Sequence, residues 1–291
     1  MEKPQITQAM INAYDEYTHL TLDSRGFMEK LTTLAGSASA AAAIAPLLAA
    51  NKAAAEMIAA NDDRLTAKDV GYAGSSGEMK AYLVEPKNPA GKLGGVIVIH
   101  ENRGLNPHIR DVARRMALEG FVTLAPDFLS PLGGTPDNED QAREMFGKLD
   151  AATTVANAAA TVDYLSRLDT VNGNVGAIGF CWGGGLVNNL ATKSPDLKAG
   201  VAYYGAQPPA AEVPNIKAAM MLHYGGLDER INAGIDAYRK ALEENGKTFQ
   251  IFVYEGANHA FNNDTSAARY DKNAADLAWS RTVEFLKKNL A

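Results

Sequence analysis

The sequence predicts an α/β fold, a doubly wound and mostly parallel sheet with an N-terminal helical extension, and three observations carry that prediction. Apolar runs without polar alternation recur along the chain after residue 90, helical stretches separate them, and a glycine-rich turn joins one run directly to one helix. Runs of this kind suit strands buried on both faces of a sheet, and the helices between them supply the crossovers that parallel pairing requires.

Residues 1–62 read as the extension. They are rich in Ala, Met and Leu, with Met10, Ile11, Tyr14 and Tyr17 at helical spacing, which predicts two or three helices. Within them Leu34–Ala50 is small and apolar and follows "SRGFMEK" (Ser24–Lys30), a pairing that resembles a twin-arginine export leader. Gly26 stands where such a leader has its second arginine, and Glu2, Asp15, Glu16, Asp23 and Glu29 outweigh Lys3, Arg25 and Lys30. Export leaders need positive charge, and Pro46 interrupts a stretch already too short and Ala-rich for a membrane span. A retained extension on a cytoplasmic protein is therefore expected; export to the periplasm through a degraded leader is the alternative.

Residues 63–291 read as one domain. "DVGYAGSSGEMKAYLVEP" (Asp69–Pro86) predicts a hairpin about its Gly-Ser-Ser-Gly turn. Strands follow at Gly94–His100, Phe121–Asp127, Asn174–Phe180, Ala199–Gly205, Ala218–Gly225 and Thr248–Tyr254. Helices are expected at Pro107–Glu119, Asp137–Leu168 with a break near Asp150, Gly184–Lys193, Ile231–Asn245 and Tyr270–Asn289.

Composition narrows the function. The 291 residues are 46% hydrophobic and 21% charged with a net charge of -6, and no basic stripe marks a nucleic-acid or membrane partner. Cys181 is the only cysteine, so no internal disulfide forms, and the five histidines show no zinc spacing. No metal or cofactor is implied.

In a doubly wound sheet, chemistry gathers at the carboxyl ends of the strands. "GFCWG" (Gly179–Gly183) follows a strand and precedes a helix, the G-x-nucleophile-x-G pattern of a nucleophile elbow. The glycines let the strand and helix pass closely, and Cys181 projects at a helix N-terminus that favours its thiolate. Taken alone, a lone cysteine is more often a small buried hydrophobe. Asp228 and His259, in the loops after the last two strands, complete the chain order nucleophile, acid, histidine that marks the α/β-hydrolase triad. Backbone N–H groups of Asn102 and Trp182 are the expected oxyanion donors. His223, inside an apolar run, reads as a core histidine, while His19 and His108 read as surface residues. His100 is open between shaping the pocket and a hydrogen-bonded structural role, and Trp182, Phe128 and Phe261 between apolar pocket walls and core.

"IHENRGLNPHIRDVARRMALEGFVTLAPDFLS" (Ile99–Ser130), "GAIGFCWGGG" (Gly176–Gly185), "YGGLDERI" (Tyr224–Ile231) and "YEGANHAFNN" (Tyr254–Asn263) together resemble the dienelactone hydrolase family over about residues 65–291. The resemblance implies an α/β-hydrolase fold and a Cys181, Asp228, His259 triad that cleaves a small ester or lactone without a cofactor. It adds Glu101, whose family counterpart hydrogen-bonds the resting thiol and protects it from oxidation. Family members that act on carboxylated dienelactones hold the carboxylate with arginines, one of them shortly after the catalytic histidine. Asn262 and Asn263 stand there in this chain, leaving Arg103, Arg143 and Arg269 as candidate substrate ligands together with Phe261. A non-catalytic small-molecule-binding protein and a thiol redox sensor are the competing readings. The N-terminal helices have two places to pack, on their own domain or on a second subunit in a homodimer.

Overall fold

The structure, a computed structural model, describes residues 5–19, 21–49 and 56–291; Glu2, Lys3 and Ala50 named above lie outside them. A hairpin of β1 (Leu65–Gly74) and β2 (Gly77–Pro86) leads into β3 (Leu93–Ile99), β4 (Val122–Asp127), β5 (Val171–Phe180), β6 (Leu197–Tyr203), β7 (Ala219–Gly225) and β8 (Phe249–Tyr254). They form one eight-stranded sheet in the order β1-β2-β4-β3-β5-β6-β7-β8. The hairpin is antiparallel and pairs antiparallel with β4, whereas β3 to β8 are parallel. The predicted mostly parallel sheet is therefore what these residues build, an α/β-hydrolase fold.

Helices cover both faces. On one, α6 (Ala151–Ser166), α7 (Trp182–Lys193) and α9 (Ile235–Glu244) bury Val162, Leu165, Leu186, Leu190 and Leu242 against the strands. On the other, α4 (Pro107–Leu118) and α10 (Lys272–Leu290) bury Val112, Met116, Phe285 and Leu286. All of β4 and the last six residues of β5 are buried, which is why their sequences are apolar throughout. Strand order runs outward from β3 to β4 on one side and from β5 onward on the other. The crevice at that reversal is where a doubly wound sheet places its ligand.

Two helices end where the side chains dictate. Asp150 accepts from the Thr153 amide at 2.8 Å and starts α6 after α5 (Glu139–Phe146), at the expected break. The helix expected over Ile231–Asn245 is instead two, α8 (Glu229–Asn232) and α9. The Ile231 carbonyl accepts from the Gly234 amide at 3.2 Å in a tighter turn and from Gln207 Nε2 at 3.0 Å, and Gly234 begins the second segment.

The N-terminal residues form α1 (Gln8–Thr18), α2 (Ser24–Ala35) and α3 (Ala38–Leu48), the last from the leader-like stretch. Met10, Tyr14 and Tyr17 of α1 pack with Phe27 and Leu31 of α2 and Ile44 and Leu48 of α3 in a cluster separate from the two sheet faces. Among the described residues no single helix is long and apolar enough to cross a membrane.

Candidate active site

Cys181 sits between β5 and α7 at φ 54° and ψ -113°, a left-handed conformation that a residue with a Cβ rarely adopts. The flanking glycines are steric necessities. A Cβ on Gly179 would lie 2.2 Å from the Gly183 carbonyl oxygen, and one on Gly183 would lie 2.5 Å from that of His100. The turn is held as the Cys181 amide donates to the Tyr203 carbonyl at 3.0 Å and the Gly185 amide donates to the Cys181 carbonyl at 3.1 Å. The partly buried thiol thereby stands at the N-terminus of α7.

Asp228 caps α8, its Oδ1 accepting from the Ile231 amide at 3.2 Å, while Oδ2 lies 2.5 Å from His259 Nδ1. Both side chains are buried, and His259 Nε2 has no hydrogen-bond partner. One ring nitrogen of His259, one of His19 and Cys181 Sγ all lie within 4.8 Å of one another. The residues proposed from sequence as nucleophile, acid and histidine are thus brought together.

His19 corrects the sequence reading. It is no surface residue: from the end of α1 its Nε2 reaches to 3.4 Å from Cys181 Sγ, and its ring meets that of His259 edge-on at 4.8 Å. Arg230 Nη2 donates to the same Nε2 at 2.9 Å, and His19 Nδ1 lies 2.7 Å from the Asp15 carbonyl oxygen. Arginine can only donate, so Nε2 is the acceptor and Nδ1 carries the proton that goes to Asp15. His108 is likewise buried, its Nδ1 3.2 Å from Asp264. The other two histidines are structural. His223 bonds Tyr254 at 2.9 Å and Thr282 at 3.2 Å inside the core. His100 bonds the Glu101 carbonyl at 2.8 Å, accepts from the Phe128 amide at 3.1 Å, and backs the Trp182 ring in a stack 5.6 Å away.

Glu101 follows β3 at the same crevice, but Oε2 accepts from Asn263 Nδ2 at 2.9 Å and Oε1 is buried without a partner. No hydrogen bond joins it to Cys181 among the described residues. Asn102 and Trp182 both border the cavity beside the thiol, and Trp182, as the first residue of α7, has an amide that no intrahelical carbonyl can take. Asn102 also donates its side chain to the Thr18 carbonyl at 2.6 Å.

The arginines are spent largely on α1. Arg143 borders the cavity, yet its Nη1 donates to the Tyr17 carbonyl at 3.1 Å and its guanidinium lies 3.8 Å over the Tyr17 ring. Arg269 pairs with Asp15 at 3.0 Å, and Arg103 faces Asp140 at 3.5 Å, both away from the cavity lining. Phe261 is fully buried among Tyr203, Tyr204 and Tyr254, a core residue rather than a pocket wall. Phe128 is buried too and supports Trp182 from behind. Among the residues outside the sequence proposal that border the cavity are Arg230 and Tyr204, whose phenol is buried without a partner and whose φ is 39°.

The cavity holds about 520 Å³ above Cys181, walled by Phe146, Leu149, Val155, Trp182, Leu186 and Ile231, with Thr18 and His19 closing one side. Burial pushes the Cys181 thiol up, but the adjacent His19 and His259 imidazoles outweigh it and bring the thiol down to about 6. Burial works against the charged form of His259, yet the charges of Asp15, Cys181 and Asp228 hold it well above its ordinary value. A thiolate beside an imidazolium is the arrangement these groups favour. Two sets of donors, His19 with Cys181 and His259, and Asp15 with Asp228 and His259, are also close enough to grip a metal ion, and both would draw on His259.

The sequence profile of the dienelactone hydrolase family matches residues 79–290. A protein of Escherichia coli O157:H7 provisionally named carboxymethylenebutenolidase is 32% identical over 255 residues, covering 82% of this chain and 93% of the relative. The crystal structure of a provisionally assigned dienelactone hydrolase from Klebsiella pneumoniae superposes with a TM-score of 0.68 at 30% identity, over 76% of this chain and 97% of that one. A dienelactone hydrolase-like promiscuous phosphotriesterase from metagenomic libraries superposes with a TM-score of 0.70 at 25% identity, over 78% and 100% of the two chains.

Proposed function

The chain belongs to the dienelactone hydrolase family and is an ester or lactone hydrolase, and from that premise we propose that Cys181 is its nucleophile, served by His259 and Asp228. One observation carries the reading: a strained cysteine at a helix N-terminus shares a crevice with a buried histidine whose far nitrogen is fixed by Asp228 at 2.5 Å and whose near nitrogen is unpartnered. The thiolate attacks the carbonyl carbon, the oxyanion rests on the Asn102 and Trp182 amides, and the alcohol leaves with the proton of the His259 imidazolium. His259, oriented by Asp228, then takes a proton from water, which attacks the thioester and releases the acid.

The preferred substrate on this reading is a small ester or lactone with an apolar body. Phe146, Leu149, Val155, Leu186 and Ile231 favour apolar groups, while Arg143 and Arg269 are engaged by α1, which leaves Arg230 as the more accessible cation at the cavity. Tyr204 offers its free phenol to a polar group of the substrate. An activated aryl ester with mass detection of the acyl-enzyme tests the mechanism. Wild type is expected to accumulate a thioester on Cys181, and Cys181→Ala to lose both the adduct and turnover. A Cys181→Ala variant as active as wild type would overturn it.

A further inference from the structure

We propose that α1 is a working part of the active centre, supplying His19 as the imidazole that contacts the Cys181 sulfur and takes the proton of the thiol on ionisation. This rests on Cys181 being the nucleophile, and it goes beyond the triad because His19 lies outside residues 79–290 that the family profile matches.

Asp15 and His19 are one turn apart, so both face the crevice from the same side of α1. His19 Nε2 lies 3.4 Å from Cys181 Sγ, sharing the sulfur with His259, and its proton-bearing Nδ1 is tied down at 2.7 Å by the Asp15 carbonyl. Nε2 is therefore the nitrogen that faces the sulfur, and its lone pair is shared between the Arg230 donor at 2.9 Å and Cys181 at 3.4 Å. The Asp15 carboxylate, held at 3.0 Å by Arg269, stands with Asp228 and a His259 nitrogen, all within 4.8 Å of one another. Three core side chains grip the end of the helix: Asn102 on the Thr18 carbonyl, Arg143 on that of Tyr17, and Arg269 on Asp15. Surface helices do not need such anchorage. It fixes the imidazole where the reaction happens.

The position left open is the one Glu101 was expected to fill. With Oε2 of Glu101 on Asn263, the thiol finds its partner in His19. In the step itself the S–H bond breaks, its electron pair stays on sulfur, and the proton joins His19 Nε2. Arg230, exposed and donating to that nitrogen, must swing into solvent as it does so. The groups facing the thiol are then His19 from α1, Arg230 from α8, His259 from the loop after β8, Tyr204 after β6 and, one shell away, Glu101, Asp15 and Asp228. The leaving alkoxide takes the proton of the His259 imidazolium, which frees His259 to accept one from water. The proton on His19 returns to the sulfur when the thioester is hydrolysed, which closes the balance.

The test uses the full-length protein and its single cysteine. Alkylation of Cys181 by iodoacetamide is followed against pH for wild type, His19→Ala and His19→Gln, alongside the burst and steady rates on p-nitrophenyl acetate. Wild type is expected to show a midpoint near the acidic value that the two imidazoles impose. Both variants should move it up by about one unit or more, so that alkylation at the wild-type midpoint falls roughly fivefold or more and the burst slows in step while deacylation does not. Glutamine fills the site of histidine and keeps a polar contact, so it covers the case in which alanine disturbs α1. Midpoints and burst rates equal to wild type in both variants would overturn the proposal. Alkylation needs no turnover, so a Cys181→Ala protein that still hydrolyses the ester would refute the nucleophile while the midpoints still decide the role of His19.

Discussion

Cys181 occupies a left-handed backbone that costs about 1–3 kcal/mol, and the cost is concentrated on the one side chain whose exposure at the strand end matters. Its acidity sets a first prediction. The thiolate is lost as pH falls through about 6, so kcat/KM should drop tenfold per pH unit below that value, read from a pH profile on an activated ester. A second concerns His223, whose burial pulls its pKa from 6.5 down to about 3. In the unfolded chain it binds a proton near pH 6.5, and in the folded chain it does not. Stability should therefore fall with decreasing pH across that window by up to about 1.4 kcal/mol per unit from this residue alone. Urea unfolding at pH 7 and pH 5 should show a shallower loss in His223→Gln; an equal loss would assign the acid sensitivity elsewhere. Residues that act through their own strand ends were legible in the sequence, since Gly179, Cys181 and Gly183 announce their turn locally. His19 was not, because its partner is 162 residues away and nothing around it but an amphipathic helix marks it.

The elements show where the candidate arginines are engaged. A helix that ends beside the cavity leaves carbonyls that need donors. Arg143 answers that need at the end of α1, adding a stack on Tyr17. Arg143→Ala should free the helix end by about 2 kcal/mol, from the lost charged hydrogen bond and cation–π contact. Amide exchange in residues 8–19 should then quicken roughly thirtyfold. An Arg143 that instead binds substrate would raise KM and leave exchange in α1 unchanged. The same logic of local against distant partners separates the helices. Asp150 marks its own helix start in sequence, whereas the break between α8 and α9 is met by Gln207 from a distant loop.

At the scale of the molecule, the sheet was readable because its strands are buried on both faces, so their apolarity is continuous and needs no partner to interpret. How the N-terminal helices join the sheet was not readable. Their apolar side chains bury against one another, and the junction with the rest is made by polar pairs: Gln8 with Asn258, Asp15 with Arg269, Arg143 and Asn102 with carbonyls of α1. Such a junction contributes less than the continuous apolar layers of the sheet faces, since polar pairs exchange water contacts for protein ones at small net gain. The helices should therefore loosen before the sheet does. In a urea titration followed by activity and by far-ultraviolet circular dichroism, activity should fall at a lower denaturant concentration than the bulk of the secondary structure, because loosening α1 withdraws His19 and one wall of the cavity. Trp182, at the cavity, should report with the activity, and Trp279 of α10 with the sheet. Coincident midpoints for all of these signals would mean that the polar junction couples the two clusters into a single cooperative unit.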